Sequence, residues 1–272
     1  MINTFKQMLS YPFLINALLV GILVSLCASL LGVSLVLKRY SMIGDGLSHV
    51  GFAALAIAYA MNAAPLSVAI PVCIAAAFLL LRMKENSKLK GDAATALLCS
   101  GALAVGVMTV SLTTGMNTDV CNYMFGSILS MSRSDVRLSV MLSIVVLVLY
   151  VIFYNRIFAV TFDETFAKAT GTSSNLYNML IALLTAVTVV LGMRMMGTLL
   201  ISSLIIFPAL SSMRICRHFR SVIVCSALLS AVCFAAGIYF SYMYSTPTGA
   251  SIVIADIIVF VLFALAEKIK ER

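Results

Sequence analysis

Asp45 and His49 are the side chains whose types and spacing best suit chemistry. They sit in the stretch Lys38–Arg39–Tyr40–Ser41–Met42–Ile43–Gly44–Asp45–Gly46–Leu47–Ser48–His49, which holds one of ten acidic residues and one of two histidines in the chain. Four residues apart, they share one face of a helix. Both lie just inside a hydrophobic segment, where an unpaired ionisable group costs several kcal/mol. A borderline divalent cation such as Zn²⁺ or Mn²⁺ accepts carboxylate and imidazole together. Two ligands are too few for a closed site, so others must come from elsewhere in the chain or from a second copy. The spacing leaves a plain Asp–His hydrogen bond equally open. Gly44, Gly46 and Gly51 let another backbone approach this helix closely. Gly44-x-Gly46 is not a dinucleotide fingerprint, because no strand precedes it and the third glycine is misplaced.

Other polar groups carry weaker signals. Pro208 within an apolar run frees a carbonyl and kinks its helix. Ser202 and Ser203, a turn or more before it, can satisfy freed groups or line a path, and packing is the commoner role. Asp256 sits inside the last apolar run, where a contact to a neighbouring helix is expected. His218 lies among Arg214, Arg217 and Arg220 and reads as part of a solvated basic loop. The seven cysteines, at 27, 73, 99, 121, 216, 225 and 233, show no CxxC pair and read as small buried apolar groups. The sixteen methionines are dispersed and read as packing. No GxxxxGK[ST] phosphate loop, HExxH or nucleophile elbow occurs, so enzyme chemistry within the chain is not expected.

The elements that must position Asp45 and His49 follow from composition. The 272 residues are 62% hydrophobic and 10% charged, against about 25% charged in a soluble domain. Such a chain has lipid as its solvent. Residues 1–272 read as one transmembrane domain, an all-α helix bundle. Nine apolar segments are long enough to cross or nearly cross a bilayer: 13–37, 45–61, 66–82, 93–115, 137–155, 175–193, 196–213, 221–243 and 250–267. The sixth and seventh are parted only by Arg194 and Gly197. Merging one pair, or half-inserting one segment, gives eight. No cleavable signal pattern is expected, since the run from Phe13 is long enough to remain as a span. With the C-terminus inside, fourteen of the eighteen Lys and Arg residues are cytoplasmic, leaving Lys6, Arg133, Arg137 and Arg194 outside. This accounts for the net charge of +8 without a nucleic acid.

Two connections exceed what a hairpin needs. Residues 114–135 lie outside and include the apolar octet Asn122–Tyr123–Met124–Phe125–Gly126–Ser127–Ile128–Leu129, expected to rest against the bundle. Residues 155–175 lie inside. There, Phe162 to Gly171 reads as a short amphipathic helix with acids near its start, Lys168 near its end and Gly171 as C-cap. It offers a surface to a soluble partner or to lipid headgroups.

Taken in order, these stretches resemble the ABC-3 metal-ion permeases, the membrane subunits of bacterial zinc, manganese and iron importers. The likeness rests on Leu37–Lys38–Arg39, Ser41, Gly44–Asp45 and Leu47–Ser48–His49. It continues through Gly91–Asp92, Ala94 and Ser100 to Ala104; Tyr123 and Phe125 to Leu129; Phe162–Asp163, Phe166–Ala167, Ala169 and Gly171; Met196 to Leu200, Ser202 and Pro208–Ala209; and Pro247–Thr248–Gly249. The resemblance implies a type II ABC importer-like fold in the bacterial inner membrane. It implies two permease copies around one pathway, cytoplasmic ATP-binding subunits that hydrolyse the ATP, and an extracytoplasmic metal-binding protein. Asp45 and His49 would hold the transported divalent metal, with no permanently bound cofactor. Phe162, Asp163, Phe166, Ala167, Ala169 and Gly171 would couple to the ATPase. Asp256 stands where such permeases are apolar, so it receives no role. An ion-gradient-driven secondary transporter and a permease for a metal chelate or cobalamin are the alternatives. The first would need more intramembrane charge and usually internal repeats, and the second would favour a wide apolar pathway.

Overall fold

Long apolar runs cannot leave backbone N–H and C=O groups unpaired in lipid, so each run closes its hydrogen bonds within itself as a helix. The computed structural model describes residues 12–86, 91–113 and 133–270, and no strand occurs among them. The elements are α1 (Pro12–Leu37), α2 (Ile43–Ala60), α3 (Pro65–Asn86), α4 (Gly91–Leu112), α5 (Arg133–Ile152), α6 (Tyr154–Phe162), α7 (Glu164–Ala169), α8 (Ser174–Met196), α9 (Thr198–Ile215), α10 (Phe219–Tyr244) and α11 (Thr248–Lys270). Among the described residues, nine are long and apolar enough to cross a membrane: all except α6 and α7. The chain is a multi-pass membrane protein. The octet 122–129 lies outside the described residues.

Gly197 decides between eight and nine spans. Its φ of 88° and ψ of 163° form a conformation essentially closed to residues with a side chain. That one residue ends α8 and starts α9. Two helices therefore stand where a marginal break was read. The fifth span begins and ends a few residues earlier than expected. It ends at Ile152, and Tyr154–Phe162 forms α6 where a loop was expected.

Ion pairs show which residues share one end of the bundle. Arg194 Nη2 meets Asp135 Oδ2 at 2.8 Å, and both residues were assigned outside. Arg214 was assigned inside, and its Nη1 meets Oε2 of Glu267, the last residue of the ninth expected segment, at 2.6 Å. Arg156 Nη1 donates to Thr172 Oγ1 at 3.0 Å across the inner connection.

The frame is built around α1, which packs against α9, α10, α8 and α5. Serines bond across its seam with α10: Ser230 Oγ donates to the Ser25 carbonyl at 3.0 Å and Ser226 Oγ to the Ser29 carbonyl at 3.4 Å. Such interhelical bonds help hold helices together where no hydrophobic contrast exists between protein and lipid. On the other side of the bundle, α2 packs chiefly on α4 and α3. The α2–α4 contact positions the site. A Cβ on Gly46 would lie 2.9 Å from Thr95 Cγ2, and one on Gly106 would lie 3.2 Å from Ala53 Cα. Glycine at both positions draws the two helices together side by side.

Candidate metal centre

Asp45 falls in the first turn of α2, which begins at Ile43 after Met42. The exposed N–H groups and the positive end of the helix dipole favour a carboxylate there. The turn leading into it is tight: Arg39 has φ 59°, and the Tyr40 N–H donates to the Leu35 carbonyl at 2.7 Å. One turn later, His49 Nε2 lies 3.9 Å from Asp45 Oδ1. That is too long for a hydrogen bond. The local pair expected as one option is therefore not made, and both groups keep ligand capacity. Their side chains are 39% and 19% exposed.

Two more polar groups converge here. Ser202 Oγ, from α9, lies 3.4 Å from Asp45 Oδ1 and 3.2 Å from the Thr198 carbonyl, so its proton can serve either acceptor. Cys99 comes from α4. Its Sγ, an oxygen of Asp45 and a ring nitrogen of His49 all lie within 4.8 Å of one another. Cys99 departs from the expectation that every thiol is apolar filling. No local motif marks it, because it joins the site only through the Gly46–Thr95 approach one turn earlier on α4. A half-open cluster of carboxylate, imidazole and thiol can bind a borderline or soft divalent cation and release it again.

The remaining expected residues lie apart from this cluster. Pro208 is buried inside an unbroken α9. Ser203 Oγ donates to the Leu199 carbonyl at 3.0 Å, the previous turn of its own helix. Asp256 on α11 is 2% exposed, with one carboxylate oxygen lacking a hydrogen-bond partner among the described residues.

The inner segment 162–171 is not one helix. Phe162 closes α6, Asp163 is extended, and its carboxylate accepts from the Phe166 N–H at 2.9 Å to cap α7. The C-terminal expectation holds in detail. Gly171 has φ 81°, its N–H donates to the Lys168 carbonyl at 3.1 Å, and the Thr172 N–H donates to the Ala167 carbonyl at 2.9 Å. Those two bonds form a Schellman motif. Ala167 is fully buried and anchors the element, while Phe162 and Phe166 are 60% and 65% exposed. Asp163, Ala169 and Gly171 are exposed as well.

Glu164 ties α7 to the turn before Asp45. Its carboxylate lies 3.0 Å from Lys168 Nζ and 3.9 Å from Lys38 Nζ, and Lys38 also donates to Asn178 Oδ1. Burial pushes the Glu164 carboxyl up. Hydrogen bonds to Lys168 and Asn178 and the charges of Lys38 and Lys168 outweigh it, holding the carboxyl below its ordinary value.

Known proteins share this architecture along nearly the whole chain. The model of the ABC 3 transport family matches residues 10–267. The manganese transport system membrane protein MntC of Halalkalibacterium halodurans is 29% identical over 262 residues, covering 96% of this chain and 89% of that protein. The high-affinity zinc uptake system membrane protein ZnuB of Haemophilus influenzae is 28% identical over 252 residues, covering 93% and 97%. The structure of PsaBC from Streptococcus pneumoniae in complex with Fab superposes with a TM-score of 0.87 at 28% identity, covering 97% of this chain and 95% of that one. By the extent of the match and the fold it shares, this chain belongs to the ABC 3 transport family.

Proposed function

We propose that this chain is the membrane-spanning permease subunit of an ATP-driven importer that carries a divalent metal ion into the cytoplasm, with Asp45 and His49 as its ligands. The observation that carries the reading is the 3.9 Å gap between Asp45 Oδ1 and His49 Nε2 inside an otherwise apolar bundle. Two ionisable groups that face each other across that gap keep free donor capacity, and a cation between them would use it. Membership of the family, together with relatives named for manganese and zinc transport, supports the same cargo.

Two permease copies would share one pathway, each bringing its cluster to it. The outward face of α4 carries Ala93, Ala96, Ser100, Gly101 and Ala104 beside Cys99, and such small residues permit close helix contact. A separate ATPase would grip the inner surface around Phe162 and Phe166, and an extracytoplasmic binding protein would deliver the ion. The membrane would be the bacterial cytoplasmic membrane, with the C-terminus inside.

The test is metal uptake by the assembled transporter, with and without ATP, for the wild type and for Asp45→Ala and His49→Ala. Uptake is expected to require ATP and to be lost in both variants. Survival of uptake in both, with the protein present at wild-type level in the membrane, would overturn the site.

A further inference from the structure

We propose that Cys99 is a third ligand for the transported ion, and that its thiolate biases the site towards zinc over manganese. The inference rests on the reading of Asp45 and His49 as cargo ligands and adds a selectivity to it.

The geometry comes first. A tetrahedral zinc with bonds of about 2.0–2.3 Å holds its nitrogen, oxygen and sulfur ligands roughly 3.3–3.7 Å apart. The three donor atoms here lie within 4.8 Å of one another, and Asp45 and His49 already stand 3.9 Å apart. A contraction of about an ångström completes the set. Side-chain rotation can supply it, because all three residues are only partly buried. The placement of Cys99 also has a structural cause. Gly46 accepts Thr95 at close range, His49 lies three residues after Gly46, and Cys99 lies four residues after Thr95. Those steps are each about one helical turn, so the approach that brings the helices together also brings imidazole and thiol to one level.

The chemistry follows from the donor set. Manganese is served by oxygen ligands, whereas thiolate suits zinc and softer ions. On binding, the Cys99 thiol gives its proton to water and a sulfur–metal bond forms, with no change of oxidation state. Carboxylate, imidazole and thiolate then leave the fourth position for a water molecule, Ser202 or a group from a second copy. A site of this kind holds zinc more tightly than manganese and still has an exchangeable position from which to release it.

The test uses the complete transporter in vesicles with radiolabelled zinc and manganese, and the purified permease titrated with Co²⁺. Wild-type permease should show a thiolate-to-cobalt charge-transfer band in the near ultraviolet. Cys99→Ser should lose that band, drop zinc uptake about tenfold and leave manganese uptake within about twofold. Cys99→Asp, which restores a charged but harder ligand, should recover manganese uptake more than zinc uptake. Asp45→Ala should abolish both. If Asp45→Ala abolishes uptake while Cys99→Ser keeps the band and the wild-type zinc-to-manganese ratio, Cys99 is not a ligand although the metal centre stands. If Cys99→Ser depresses both metals equally, the selectivity is overturned. If Asp45→Ala leaves uptake intact, the metal centre itself fails.

Discussion

Asp45 and Asp256 both lie within apolar helices of this chain, and their surroundings are opposite. Asp45 opens α2 in its first turn, 39% exposed, with His49, Cys99 and Ser202 gathered around it from three helices. Asp256 sits within α11, 2% exposed, its carboxyl beside the Cys233 thiol of α10 and one of its oxygens without a hydrogen-bond partner among the described residues. Both carry the same group, but only one converges with other donors and remains reachable. A carboxyl in a membrane protein is thus no site by itself. It becomes one where backbone termini, close helix contacts and open volume bring further ligands to it. The sealed Asp256 has one thiol for company and is a cost that the packing around it absorbs.

The largest effect that would sharpen this contrast is expected from Asp45→Ala, which should reduce metal uptake at least about 100-fold, measured as initial rates at matched protein levels. A comparable loss from Asp256→Ala would erase the distinction. Glu164→Gln keeps a hydrogen-bonding side chain but removes the charge facing Lys38 and Lys168. ATP-dependent uptake should fall about fivefold while Co²⁺ binding to the permease stays unchanged. Because the Glu164 carboxyl is held below 4.5 in the folded protein, its contribution is complete at neutral pH and disappears as pH falls through that lowered value. Hydrogen exchange in α7 should accordingly rise on acidification below 4.5 in the wild type and far less in Glu164→Gln.

Gly46→Ala tests the positioning directly. Its Cβ would meet the stiff, β-branched Thr95 at 2.9 Å. Thermal unfolding should show a loss of about 1–3 kcal/mol, and Co²⁺ binding should weaken. Thr95→Ser should relieve part of both. The smallest effect belongs to Asp256→Asn, for which uptake within about twofold of wild type and an unchanged or higher unfolding temperature are expected. A tenfold loss of transport there would make the buried carboxyl a working part.

The spans were legible because their signal is local. An uninterrupted apolar run has one low-energy solution in lipid, a helix that closes its own hydrogen bonds. Gly171 was legible too, since a glycine after a short amphipathic stretch has a known conformational use. Other features were hidden because they depend on distance in sequence. Cys99 lies fifty residues beyond His49 and reaches it only through helix packing. The division of 154–169 into α6 and α7 was hidden for a different reason. Asp163 has two local options, a place in the helix or a cap on the next one, and tertiary anchoring of Ala167 and Glu164 favours the second. Ser202 read as a serine that packs its helix or lines a path, and only the approach of α9 to α2 gives it Asp45 as a neighbour.

The 3.9 Å ion pair between Lys38 and Glu164 has a mechanical meaning. Lys38 lies seven residues ahead of Asp45, and between them Arg39 holds a left-handed conformation, a narrow well for a residue with a side chain. A joint with few alternative shapes has little slack. A force applied to α7 from below is therefore passed through Lys38 into the start of α2 instead of being absorbed on the way. Displacing α7 by a fraction of a helical turn would rotate the Asp45 carboxylate relative to Cys99 on α4. The stiffness of a five-residue turn thereby sets how much of any push arriving at α7 is felt as a change in the geometry around Asp45.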